Sequence, residues 1–121
     1  MVRRLVAILA LTCAVVVVTR ATQAPPPRKV TVEAERFNFS PSRIKIAVGE
    51  EIEIHLRSAD TSHGFSVEGT DIDLEIPKRG KGEVVVRYMG MSPGRVAFEC
   101  NRMCGAGHHF MRGEIVVEAK E

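Results

Sequence analysis

The sequence predicts an all-β domain, a Greek-key β-sandwich, preceded by an N-terminal hydrophobic helix. Apolar and polar residues alternate in about eight short stretches, which is the period of half-buried strands. Beyond the first twenty residues, no window keeps the 3.6-residue period of an amphipathic helix over ten residues. Glycine and proline recur between the stretches, as in the turns of an antiparallel sandwich.

The first twenty residues, "MVRRLVAILALTCAVVVVTR", form a membrane-targeting segment. Two arginines precede the nearly unbroken apolar stretch from Leu5 to Val18. A helix of that length rises about 21 Å, less than the roughly 30 Å hydrocarbon core of a membrane, and suits a signal peptide. Cleavage after Ala24 is disfavoured because Pro25 follows it. Residues 1–24 are therefore either a signal peptide or a retained membrane anchor, and both place the remaining chain outside the cytoplasm.

Export changes the charge and the cysteine count of the folded part. The whole chain has a formal charge of +2, but Arg3, Arg4 and Arg20 lie in the targeting segment. Residues 25–121 hold 14 basic and 15 acidic residues, a net charge of −1. Such a balance gives no electrostatic support for binding nucleic acid, so we predict no such partner. Without Cys13, two cysteines remain.

Residues 25–29, "PPPRK", form a stiff and extended linker because successive prolines restrict the backbone. The domain occupies residues 30–121, and turns follow at Gly49, at Pro77 and in "KRGKG". Each predicted strand is defined by apolar residues that share one face. In chain order these sets are Val30 and Val32; Ile44, Ile46 and Val48; Ile52, Ile54 and Leu56; Phe65 and Val67; Ile72, Leu74 and Ile76; Val84, Val86 and Tyr88; Val96, Phe98 and Cys100; Ile115 and Val117.

Most of the metal-binding side chains lie in one segment, "CNRMCGAGHHFM", from Cys100 to Met111. Since Val96 and Phe98 face inward, the alternation also turns Cys100 inward at the end of its strand. An α-helix is disfavoured here, because each of its glycines costs about 1 kcal/mol relative to alanine. We predict a loop folded round a common centre, with "SADTSHGF" bringing His63 to the same end of the sandwich.

Two thiols, two imidazoles and a thioether suit copper, because soft sulfur and imidazole ligands favour it and Cu(II) heads the divalent affinity series. A disulfide between Cys100 and Cys104 is the ordinary alternative in an exported protein. A tetrahedral zinc site with two cysteines and two histidines is another, although zinc has no need of Met111. A hydrolase is not indicated, because the chain shows no Ser-His-Asp, paired-carboxylate or Cys-His nucleophile arrangement, and we assign no catalytic residue.

The spacing C-x3-C-x3-H-x2-M, preceded by "HGFSVEGT", resembles the binuclear CuA domain of cytochrome c oxidase subunit II, closest to the B-family heme-copper oxidases. The resemblance covers about residues 39–117 and implies a cupredoxin-like fold. It implies two copper ions, both bridged by the sulfurs of Cys100 and Cys104. The other implied ligands are one imidazole for each copper, a weak axial thioether and a weak main-chain carbonyl: His63, His108, Met111 and the carbonyl of Arg102.

Residues near the ligands are also assigned expected roles. Asp60 would hydrogen-bond within its loop and hold His63 in place, and His109 would lie beside His108 or be exposed. The chain has no tryptophan, the residue through which some oxidases accept electrons, and Phe65 is the expected replacement. Arg102 stands where many members have glutamate, and we predict that its positive charge raises the reduction potential.

The resemblance implies an electron relay, a non-catalytic subunit of cytochrome c oxidase at the periplasmic or outer face of the cytoplasmic membrane. It would accept electrons from a c-type cytochrome or small copper protein and pass them to the heme subunit of a heme-copper oxidase. Because the domain is nearly neutral, we expect docking through apolar contacts and not acidic steering. The alternatives are a free-standing periplasmic copper protein, for copper delivery or another redox chain, and a metal-free β-domain with a disulfide.

Overall fold

The structure, a computed structural model, describes residues 15–121. The predicted N-terminal helix falls largely on residues 1–14, which lie outside this range, and residues 15–27 form neither helix nor strand. Within the described part of the chain, no helix has the length and apolar character needed to cross a membrane.

The described part of the chain contains nine strands. A short 3-10 turn, His108–Phe110, lies before the last strand. The strands are β1 (Arg28–Glu35), β2 (Asn38–Ser40), β3 (Arg43–Ala47), β4 (Glu51–Ser58), β5 (His63–Val67), β6 (Asp73–Ile76), β7 (Val84–Met89), β8 (Gly94–Glu99) and β9 (Arg112–Glu118).

The strands form two sheets, which confirms the predicted all-β sandwich. One sheet has the order β2-β1-β4-β7 and the other β3-β9-β8-β5-β6. Strands distant in sequence become neighbours, because β1 pairs with β4 and β3 pairs with β9, both in parallel. The remaining pairings are antiparallel.

The core lies between the two sheets and follows the predicted alternation. In β4 the side chains of Ile52, Ile54 and Leu56 are fully buried, while the residues between them are only partly covered. Three phenylalanine rings meet in the centre, with centroids 5.2 to 5.8 Å apart: Phe39, Phe65 and Phe98. Edge-to-face packing of this kind adds to the area that the rings bury.

The pairing of β5, β8 and β9 brings distant residues to one end of the sandwich. Because β5 runs antiparallel to β8, with Ser66 opposite Glu99, the start of β5 lies at the end of β8. Strand β9 begins there too, since Arg112 pairs with Glu99. The loop of residues 100–111 therefore spans the ends of β8 and β9, next to the first residue of β5.

Candidate metal centre

Two free thiols lie at the middle of this end of the sandwich. Cys100 and Cys104 are both buried and unbonded to each other, and their Sγ atoms lie 3.6 Å apart. The Sδ atom of Met111, a fully buried side chain, lies 3.9 Å from Sγ of Cys104. Two main-chain groups complete the surroundings of Cys100: its thiol lies 3.2 Å from the carbonyl oxygen of Arg102, and its sulfur accepts the N–H of Gly64 at 3.3 Å.

The chain reaches this arrangement through a loop, as predicted, and not through an α-helix. Cys100 follows β8 directly and keeps the inward direction set by Phe98. Its N–H donates to the carbonyl of Met111 at 3.0 Å, which closes the base of the loop. Gly105 has φ of +144°, a conformation that glycine adopts readily and other residues rarely do.

The imidazole of His63 is fully buried at the start of β5. Its Nε2 lies 2.6 Å from Oδ1 of Asp60, as the sequence predicted. Since an ionised carboxylate only accepts hydrogen bonds, Nε2 carries a proton, and Nδ1 is the ring nitrogen left to bind a metal. His63, Cys100 and Cys104 each offer a ligand atom, and these three atoms lie within 4.8 Å of one another.

His108 lies in the 3-10 turn and is half-buried. Its Nδ1 is buried and has no hydrogen-bond partner, and the same is true of Nδ1 of His63. Within residues 15–121 these are the two buried side-chain nitrogen or oxygen atoms left without a partner. A buried polar group without a partner costs about 1–3 kcal/mol, a cost that coordination to a metal removes. The residues present therefore fit copper.

The carboxyl group of Asp60 is held in its ionised form. Burial opposes ionisation, but hydrogen bonds from the Arg36 N–H, the His63 ring and the Thr61 N–H outweigh it and lower the pKa to about 2. The Oδ2 atom of Asp60 accepts the N–H of Arg36 at 2.9 Å. A carboxylate so fixed orients the imidazole and makes it a better ligand.

The Cys104 thiol keeps its proton when no metal is bound. Burial raises its pKa to about 11, and the neighbouring Cys100 adds to the shift. Only the thiolate binds a metal well, so metal binding at this residue must release a proton.

The remaining predicted residues lie round this cluster in different ways. His109 is exposed, and its ring centroid lies 4.7 Å from that of His108, as the sequence predicted. The carbonyl of Arg102 faces Cys100, whereas its side chain points to Asp73, 3.7 Å away. Phe65 is fully buried in the core, so a partner protein cannot contact its ring directly, and its expected role in accepting electrons stays a prediction.

Sequence reasoning missed Arg36 and Phe37, which lie just after β1. Nε of Arg36 donates to the carbonyl of Cys104 at 2.8 Å, and the ring of Phe37 packs against Gly105 and Gly107. No local pattern indicated these contacts, because Arg36 and Cys104 are 68 residues apart.

The fold and the cluster define a class, a cupredoxin-like domain with a copper site. Comparison with known proteins agrees, because residues 5–117 match the cupredoxin-like domain family. Cytochrome c oxidase subunit 2 of Thermus thermophilus is 42% identical over 95 residues, 78% of this chain. The chain belongs to the cupredoxin-like family and, within it, to the family of cytochrome c oxidase subunit 2. It is a copper-binding electron-transfer domain.

The match spans 68% of one Thermus sequence and 55% of a second, so these relatives are considerably longer. A chain from a cryo-electron microscopy structure of a heme-copper terminal oxidase dimer superposes with a TM-score of 0.66 and 27% identity, covering 83% of this chain and 78% of that one. The periplasmic domain of subunit II of a Bradyrhizobium japonicum cytochrome oxidase has a TM-score of 0.69 at 13% identity, covering 81% and 89%. The second likeness shows the fold alone.

Proposed function

We propose that this chain is the copper relay of a heme-copper oxidase, a subunit II whose binuclear CuA centre passes electrons to the heme subunit. The observation that carries the proposal is the pair of buried Nδ1 atoms without partners, on His63 and His108, at the end of the sandwich that holds two free thiols 3.6 Å apart. This combination fits two bridged metal ions better than a disulfide, which would leave both imidazoles without partners.

The proposed ligand atoms follow from this geometry and from the family pattern. Sγ of Cys100, Sγ of Cys104, Nδ1 of His63 and Nδ1 of His108 would hold the copper. Sδ of Met111 and the carbonyl oxygen of Arg102 would be further, weaker ligands. All six atoms belong to the start of β5 and to the 100–111 loop. A single Cys2His2 zinc ion would use neither of the two weaker ligands.

Bound copper would supply one-electron chemistry. The protein contributes a site that changes little when an electron arrives or leaves. His63 lies on a strand and is fixed by Asp60, Cys100 follows β8 directly, and Met111 is fully buried. Close packing of such residues restricts their movement, so little rearrangement accompanies each transfer.

The outer surface of the ligand loop is the proposed docking site for the electron donor, a c-type cytochrome or a small copper protein. Two large apolar side chains project there into solvent, Met103 with 78% and Phe110 with 83% of its surface exposed. Protein interfaces are poor in charged residues at their centres and rich in methionine and aromatic residues. This supports docking through apolar contacts.

The domain acts on the outer face of the cytoplasmic membrane, and residues 1–24 either hold it there or direct its export. Because β1 begins at Arg28, the linker predicted at residues 25–29 shortens to residues 25–27, and the copper domain follows it. The likeness to cytochrome c oxidase subunit 2 supports this placement.

The experiment that tests the proposal is purification of the affinity-tagged chain from the membranes of the cells that naturally produce it. We expect a heme-copper oxidase to co-purify and to oxidise reduced cytochrome. The Cys100→Ser variant should co-purify equally but transfer no electrons. Recovery of a copper-loaded chain without any oxidase would contradict the proposal and favour the free-standing copper protein.

A further inference from the structure

Two separate segments supply the proposed ligands, and one residue outside both contacts each of them. Arg36 lies directly after β1. Its main-chain N–H donates to Oδ2 of Asp60 at 2.9 Å, and the other oxygen of that carboxylate holds His63 at 2.6 Å. Its side-chain Nε donates to the carbonyl oxygen of Cys104 at 2.8 Å. A single residue thereby links the β5 segment to the middle of the ligand loop.

The strand that precedes Arg36, β1, is firmly held in its sheet. Strand β1 pairs in parallel with β4 from Arg28 to Ala34, opposite Ile52 to Ser58. Val32 and Ala34 at this end of β1 are fully buried. The position of Arg36 is thus set by the sheet, and not by the loop that it contacts.

The ligand loop, in contrast, is tied to the sheets at its start, where the side chain of Asn101 donates to Asp73 of β6 at 2.8 Å. Its main-chain hydrogen bonds close the base between Cys100 and Met111 or lie within the loop itself. The hydrogen bond from Arg36 holds the loop at Cys104, between these points. Next to it, the ring of Phe37 covers Gly105 and Gly107 so closely that a Cβ added at Gly105 would lie 2.8 Å from the ring.

We propose that Arg36 is a positioning residue of the copper centre, which fixes Cys104 relative to His63. The inference rests on the proposed function only in naming copper as the metal. Without Arg36, Cys104 is free to move away from Cys100 and from His63, and the bridged geometry is lost before the fold is. A neutral donor in the same place should preserve the site, because the role is a hydrogen bond to a main-chain carbonyl.

The test compares two substitutions of similar length with a matched control. Arg36→Met removes the donor, whereas Arg36→Gln places an amide nitrogen the same number of bonds from Cα as Nε of arginine. The control is Arg28→Met at the opposite end of β1, because Arg28 also donates to a main-chain carbonyl, that of Lys45, at 2.8 Å.

The measurements are copper affinity, the electron paramagnetic resonance spectrum and amide hydrogen exchange of the copper-free full chain. Arg36→Met should weaken copper binding about 10- to 100-fold, the usual effect of losing a residue that supports a ligand. It should also change the copper hyperfine pattern and speed exchange in residues 102–107. Arg36→Gln should restore the wild-type spectrum, and Arg28→Met should alter neither spectrum nor loop exchange.

The outcomes separate this inference from the proposed function. If wild type binds two coppers and Arg36→Met matches it in affinity, spectrum and exchange, Arg36 has no positioning role. A spectrum of Arg36→Gln as altered as that of Arg36→Met would also overturn the inference. If wild type itself binds no copper pair, the proposed function fails, while faster loop exchange in copper-free Arg36→Met would still support the positioning role.

Discussion

The two imidazoles proposed as copper ligands are held in different ways. His63 is fully buried on a strand, and a carboxylate 2.6 Å away fixes its ring. His108 is half-buried in a 3-10 turn, and its ring lies against the exposed ring of His109. One half of the centre is therefore built into the sheet, and the other is completed by a loop whose outer surface faces solvent.

This difference assigns separate tasks to the two halves. The strand half sets the geometry, because its ligand cannot move without disturbing the core. The loop half presents Met103 and Phe110 to solvent and is where a partner approaches. The comparison leads to four predictions, each of which perturbs the two halves unequally.

The largest effect is expected where the halves touch, at Gly64. A Cβ at this position would overlap the side-chain oxygen of Asn101 and lie 2.8 Å from the main-chain nitrogen of Arg102. Gly64→Ala should lose copper loading and destabilise the domain by about 1–3 kcal/mol, as overpacking usually does. In Gly107→Ala the clash is with the half-buried ring of Phe37, which can turn aside, so the loss should be smaller. Urea unfolding measures the stability of both variants, and a copper count measures their metal loading. Equal losses in the two variants would contradict the difference between the strand half and the loop half.

The next effect concerns stability without copper. His63→Ala leaves a cavity and removes the partner of Asp60, so we expect a loss of about 1–3 kcal/mol in the free energy of unfolding. His108→Ala removes a buried nitrogen that had no partner, and the change should stay within about 0.5 kcal/mol. Denaturant unfolding of the copper-free proteins checks this. A greater loss for His108→Ala would show that the loop, and not the strand, is the rigid half.

A smaller effect is expected from the side chains that contact the two imidazoles, Asp60 beside His63 and His109 beside His108. Asp60→Asn replaces the carboxylate that fixes the tautomer of His63, and copper affinity should fall about 10- to 100-fold. His109→Ala removes only an exposed ring beside His108, so its affinity should stay close to that of wild type. Competition titration with a copper chelator measures both. Unchanged affinity in Asp60→Asn would mean that the carboxylate does not orient the ligand.

The smallest effect is electrostatic. The partly exposed guanidinium of Arg102 lies near the centre and 3.7 Å from Asp73, so solvent and a counter-charge reduce its influence. Its positive charge favours the reduced centre, and Arg102→Glu should lower the reduction potential. Arg87→Glu, the same charge change on β7, is the control and should shift the potential less. An equal or higher potential in Arg102→Glu would refute the role assigned to Arg102.

Most of the strands could be predicted from the sequence, because a strand with one buried face has apolar residues at every second position. The stretch "IEIHLR" became β4, with its aliphatic side chains fully buried. Strand β2 was missed because its three residues, Asn38–Ser40, contain one apolar side chain, too few for the alternation to repeat. Its pairing with β1 depends on a tertiary contact that no local pattern encodes.

The centre was foreseen to the extent that its ligands are close in sequence. The spacing of Cys100, Cys104 and Met111 was sufficient to predict that their sulfurs lie together, while the ligand role of His108 stays a prediction. Arg36 was not foreseen, because 14 basic residues occur in residues 25–121 and nothing local distinguishes this one. The burial of Phe65 agrees with the alternation, which sets Phe65 and Val67 on one apolar face of β5, while its role in electron transfer stays a prediction.

The most direct test of the central claim is the electron paramagnetic resonance spectrum of the purified chain after copper loading, combined with a copper count. The account predicts two coppers per chain and hyperfine splitting from two equivalent copper nuclei. A one-copper spectrum, or a chain whose reduced thiols take up no copper, would contradict it.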